Sequence, residues 1–146
     1  MKIKETFLVA VIRFLFGVTF LWAAVDKIFG LGFSTCRSGA EVIYMCSSAF
    51  AKGGNVTAGY LGSSNGPLAD IFLKLAGQSW VNWAFLIMLI IAGVTLIFNK
   101  YTKIGAWVGA ALVLMMYASH FPPANNPFVD DHLIYFFTLL LIGKKA

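Results

Sequence analysis

The chain has 146 residues, which by length is a single domain. Hydrophobic residues make up 60% and charged residues only 12%, against roughly 45–50% and about 25% in soluble domains, and mean hydropathy is +0.82; so few charges cannot cover so much apolar surface in water, which excludes a soluble enzyme, a disordered tail and a coiled coil. The net charge of +5 comes from Lys and Arg scattered singly along the chain, so it reads as membrane-surface charge and not as a nucleic-acid footprint.

The class that remains is all-α: a polytopic membrane four-helix bundle, a single transmembrane domain over residues 1–146. The first span is read at 6–25, an apolar stretch interrupted only by Arg13. Lys2 and Lys4 precede it in the manner of a signal peptide, but the run is too long, Arg13 breaks it, and no small-x-small site follows. Arg13 has two readings. It can snorkel to the nearby headgroups, or it can face the bundle and bind carbonyls, an anion or a quinone oxygen.

A long loop over residues 26–80 follows. Cys36 and Cys46 lie in it, and the simplest reading is a disulfide closing the loop between them. The lesser alternative is a redox-active or sulfur-carrying pair, whose spacing is unlike C-x-x-C. Asn55-Val56-Thr57 matches a short glycosylation sequon. Leu68, Ile71, Phe72 and Leu75 repeat at helical spacing behind Pro67 and ahead of Gly77, with Asp70 and Lys74 paired on the other face. This predicts a short amphipathic helix lying on the membrane surface.

The second and third spans are read at 81–98 and 104–121. Gly105 and Gly109 form a G-x-x-x-G packing face on the third. The fourth is read at 127–143, with Asn126 as the N-cap and Pro127 at the first helical position. Lys2, Lys4, Lys100, Lys103, Lys144 and Lys145 crowd the short segments at one end of these spans. The positive-inside rule then puts both termini in the cytoplasm of a plasma-membrane protein, with the 26–80 loop extracytoplasmic.

The ionisable residues gather at the loop end. Asp26 and Lys27 close the first span, His120 ends the third, and Asp130, Asp131 and His132 open the fourth, with Trp22, Tyr117 and Tyr135 nearby. An ordinary polar rim with an aromatic belt explains part of this set. The functional reading makes His120 and His132 the proton-exchanging groups that two-electron, two-proton quinone chemistry requires. Asp26 and Asp130 support them as further candidate catalytic residues. Arg13, Lys27, Trp22, Tyr117 and Tyr135 are the candidate quinone- or substrate-binding residues. Lys27, with Arg37 or Lys52, would attract an anionic substrate. No metal site is read from the spacing, and no haem, nucleotide or other prosthetic-group motif is present.

The stretch Tyr117–Tyr135, reading YASHFPPANNPFVDDHLIY, carries the pattern PP-x-NNPF-x-D-x-HLIY. With Arg13 and Gly17, the Asp26-Lys27 ending, Lys52-Gly53-Gly54 and Thr57-Ala58-Gly59-Tyr60-Leu61, it resembles the DoxD/DoxX family of small four-helix membrane proteins, over nearly the whole chain. That resemblance implies similarity to the small subunit of thiosulfate:quinone oxidoreductase, which oxidises thiosulfate to tetrathionate and reduces quinone. It implies a quinone-linked respiratory redox subunit, quinone as a substrate, an anionic sulfur substrate, and other membrane subunits or self-association as partners. The alternative is a non-catalytic accessory or structural subunit of a larger membrane complex of terminal-oxidase type. Nucleic acid is expected in neither.

Overall fold

The computed structural model describes residues 5–146; Lys2 and Lys4, which enter the orientation argument, lie outside it. Helix α1 spans Glu5–Phe29. A small antiparallel hairpin, β1 (Arg37–Ser38) and β2 (Glu41–Val42), is followed by a 3-10 turn at Phe50–Lys52 and two short helices, α2 (Ala58–Gly62) and α3 (Ala69–Leu75). The chain then forms α4 (Ser79–Phe98), α5 (Thr102–Ser119) and α6 (Asp131–Lys145). The architecture is mostly helical; the two-residue strands are its departure from the all-α expectation.

Among the described residues three helices are long and apolar enough to cross a membrane: Thr6–Phe29, Ser79–Phe98 and Thr102–Ser119. The first runs one turn past the expected end, so Asp26 and Lys27 are helical. The third stops at Ser119, and His120 leaves it with φ −128. The fourth expected span, 127–143, is corrected more substantially. Helix α6 has 15 residues, about 22 Å at 1.5 Å per residue, which is short of a hydrocarbon core of about 30 Å. Its start is set by Asp130, whose extended backbone and side chain cap it: Oδ1 accepts from Leu133 N at 3.1 Å. Asn126 instead accepts from Phe128 N at 3.0 Å and Val129 N at 3.2 Å, folding a local turn. Two good capping residues compete, and the second starts the helix.

Helix α4 packs between α1 and α5, and α6 packs on α5. Small residues dominate the buried seams: Ala24, Ala92, Ala106 and Ala110, with Phe20, Leu96, Leu112 and Leu139 between them. Small residues let backbones approach where lipid offers no hydrophobic drive for association. A Cβ on Gly17 would lie 2.8 Å from Ile97 N and 3.0 Å from Gly93 O. The two glycines of the expected packing face are shared out, Gly105 against Thr95 of α4 and Gly109 against Phe20 of α1. Large apolar side chains face outward instead, among them Phe14, Ile87 and Trp107. Gly17→Ala is therefore expected to push α1 off α4 and destabilise the protein by about 1–3 kcal/mol. The check is the thermal unfolding midpoint in detergent beside that of Val18→Ala, which lies on the exposed face.

Candidate functional site

The site begins where α1 ends. Asp26 is 1% exposed. Its Oδ1 accepts from Phe33 N at 3.1 Å, and its Oδ2 accepts from Ser34 N at 3.0 Å, Ser34 Oγ at 2.9 Å and Thr35 N at 2.9 Å. A carboxylate holding three successive amides is a loop anchor. Gly30 and Gly32, at φ +64 and +83, make the reversal that brings those amides back. Cys36 and Cys46 are bonded to each other and close the hairpin. Arg37 donates to Gly39 O at 3.1 Å and Gly32 O at 3.5 Å within it.

Beside this anchor lies a cavity of about 320 Å³. Helix α4 supplies Trp80, Val81, Ala84, Phe85 and Met88; α5 supplies Leu112, Met115, Met116 and Ser119. The loop covers it with Val56, Thr57, Tyr60 and Leu61 and with Phe72 and Leu75 of α3. The apolar stripe read on the short helix is therefore split. Phe72 and Leu75 line the cavity, while Ile71 is exposed. Thr57 pins the cover to the helices: its N and Oγ1 donate to Asn82 Oδ1 at 3.1 and 2.7 Å, and both residues are buried.

The polar groups of the cavity are few. Lys27 lines it, and its Nζ donates to Ser34 Oγ at 3.3 Å. Across it, Ser119 is fully buried and donates to Met116 O at 2.8 Å. That spends the only hydroxyl proton, so the 2.9 Å contact of Ser119 Oγ with His120 Nδ1 has the imidazole as donor. His120 Nε2 faces Ser63 Oγ at 3.3 Å. The imidazole lies 4.5 Å from the Tyr60 ring. The Tyr60 hydroxyl donates to Met116 O at 3.3 Å. Burial, with a further contribution from the Asp130 charge, pushes this phenol above its ordinary value, so it remains a neutral donor. A chain of hydrogen-bonding groups thus runs from the cavity wall at Ser119, through His120, to Ser63 on the exposed loop.

The other expected residues lie elsewhere. His132 Nδ1 pairs with Asp130 Oδ2 at 2.7 Å, the two side chains being 30% and 21% exposed. Asp130 reaches His132 because it sits outside the helix in extended backbone, and Asp131 is exposed. No hydrogen bond joins the two imidazoles: His120 meets Ser119 and Ser63, and His132 meets Asp130. Tyr117 donates to Phe128 O, Tyr135 packs edge-on against Phe16, and Trp22 edge-on against Phe33. None of these three lines the cavity. Arg13 is at the opposite end, where its Nη1 donates to Leu96 O and to Ile97 O at 3.5 Å. It faces α4 and satisfies carbonyls of that helix's last turn, where a cation is also favoured by the dipole. The expected single rim pocket is thus divided, because Asp26 is taken up by loop amides and His132 by its own N-cap.

Tyr60, Ser63, Asn82 and Ser119 were not singled out by sequence. Asn82 carried a signal, as the only amide within the 81–98 apolar run. Among the described residues no group of three or more His, Cys, Asp or Glu could hold a metal ion. No family model matches the chain, and neither a curated protein nor a solved structure does.

Proposed function

We propose that this chain is a small membrane subunit of a quinone-linked redox system, and that the quinone enters the cavity between α4, α5 and the loop. One observation carries the reading: a dominantly apolar cavity whose wall holds a buried hydroxyl hydrogen-bonded to a histidine that reaches the loop surface. Ligand pockets combine apolar walls with a few placed polar groups. A quinone offers a carbonyl oxygen to the Lys27 ammonium, which lines the cavity, and needs two protons with its two electrons. His120 stands between the cavity wall and the loop surface, with one ring nitrogen toward Ser119 and the other toward Ser63.

The likeness to DoxD/DoxX proteins names the electron source. Two thiosulfate ions join into one tetrathionate and release two electrons, and quinone takes up those electrons with two protons. Lys27, Arg37 and Lys52 draw the anion toward the loop. In this reading α1, α4, α5 and the shorter α6 form a transmembrane bundle in the plasma membrane, the bilayer thinning locally to meet α6. Both termini are cytoplasmic, α3 rests at the outer surface, and other membrane subunits or a second copy complete the complex.

The test is quinone titration and turnover of the purified chain. His120→Ala is expected to leave binding within about threefold and to lower quinone reduction about a hundredfold, the ordinary contribution of a positioned proton donor. Unchanged turnover in that variant removes His120 from the chemistry. Failure of the wild-type chain to bind quinone removes the reading itself.

A further inference from the structure

The outward stripe of α1 does not stop where the helix stops. Leu8, Leu15, Trp22 and Phe29 follow one another at seven-residue spacing, on one face of the helix, and all four are exposed. On a span this apolar, such a face meets lipid. Past Phe29 the chain reverses through Gly30 and Gly32, and the Phe33 ring comes back edge-on to the Trp22 ring, the centroids 5.0 Å apart. Met45 N donates to Gly30 O at 2.9 Å, which lays the far arm of the hairpin beside the same helix end. That arm carries Ile43, Tyr44 and Met45. With Phe33 they are between 45% and 71% exposed, and large apolar side chains grouped at a surface mark a contact with a partner or a membrane. The charges of the hairpin, Arg37 and Glu41, lie in the two strands that flank its turn at Gly39 and Ala40.

The backbone of this segment gives a second, independent observation. The amides of Phe33, Ser34 and Thr35 go to the Asp26 carboxylate. Gly32 N donates to Thr35 O at 3.0 Å and Ile43 N to Cys36 O at 3.1 Å, and Cys46 N meets Cys36 Sγ at 3.2 Å. A loop in water can leave such amides to solvent. Irregular backbone against lipid must have them met by protein, because hydrocarbon offers no acceptor. From the continuous apolar face and the satisfied backbone together we infer that the disulfide-closed hairpin is a membrane wedge. Phe33, Ile43, Tyr44 and Met45 sit at the boundary of headgroups and acyl chains, beside Trp22 and Phe29, and the turn at Gly39 and Ala40 points to water. Aromatic side chains favour that boundary, where a ring meets apolar chains and a hydroxyl stays wet. The inference needs the membrane reading and not the quinone reading.

The test places photoreactive benzoylphenylalanine, one position at a time, at Tyr44, at Ala40 in the turn, and at Ile87, an exposed position in the middle of α4. The full chain in phosphatidylcholine nanodiscs is irradiated, and its adducts are identified by mass spectrometry. Lipid adducts are expected at Ile87 and at Tyr44, with about fivefold fewer at Ala40. Tyr44 is the most exposed of the wedge side chains, so the probe requires no repacking; Ile43 is the second probe position if the Tyr44 chain does not fold. Lipid adducts at Ile87, with the wedge position labelled no better than Ala40, overturn the inference and leave the membrane reading standing. Adducts from the wedge position to a second copy of the chain also overturn it and make the hairpin an interface between copies. Absence of lipid adducts at Ile87 removes the membrane reading, and the inference with it.

Discussion

Asp26→Ala is expected to be among the most destabilising single substitutions in this protein. The carboxylate is buried and holds three amides and one hydroxyl. Removing it leaves the amides of Phe33, Ser34 and Thr35 without their acceptor. Each buried donor left unsatisfied costs about 1–3 kcal/mol. Water can reach part of the loop once it loosens, so the expected loss is on the order of 3 kcal/mol. Asp26→Asn keeps one oxygen acceptor and should lose less. Ser34 also accepts from Lys27, so the Ala variant should disturb the cavity cation as well. Thermal unfolding in detergent measures the first effect. A midpoint within a degree or two of wild type would mean that the loop is held mainly by the disulfide and the hairpin.

The second large effect is expected from filling the cavity. Ala84 lines it on α4. An indole at that position occupies space that the proposed ligand needs, and it adds no charge and removes no hydrogen bond. Displacing a quinone ring and the start of its tail from apolar contact forfeits about 3 kcal/mol or more, which is more than a hundredfold in affinity. Ala84→Trp should therefore abolish measurable quinone binding while leaving the unfolding midpoint near that of wild type. The same substitution made outward, Ile87→Trp on the exposed face of α4, should leave binding intact. Equal binding by the two variants would place the ligand outside this cavity.

The residues that were legible in the sequence share a physical reason. Helices α1, α4 and α5 announce themselves by length and apolarity, since a membrane span is specified by its own composition. The Cys36–Cys46 bond follows from there being only two cysteines, both in one loop. The start of α6 falls later than the expected one because Asn126-Pro127 and Asp130 are both good local starts, and local chemistry alone does not rank them. Asp26 shows a deeper limit. A carboxylate at a helix end looks available for chemistry until the chain returns through Gly30 and Gly32 and spends its oxygens. The cavity is wholly non-local, made by laying the loop over α4 and α5, so Tyr60 and Ser119 gave no sign of facing a common space. Lys27 was legible as a lone cation at a span end, and it does line the cavity. His120 was legible as well, though it stands behind Ser119 and not in the wall itself.

The measurement that bears most directly on the central claim is photoaffinity labelling of the purified chain with an azidoquinone, read by peptide mass spectrometry. The account predicts adducts on the segment holding Val56 to Leu61 and on the end of α5 from Met115 to His120, both suppressed by excess unlabelled quinone and both lost in Ala84→Trp. Adducts confined to outward residues such as Phe14, Ile87 and Trp107, with no competition by unlabelled quinone, would contradict it.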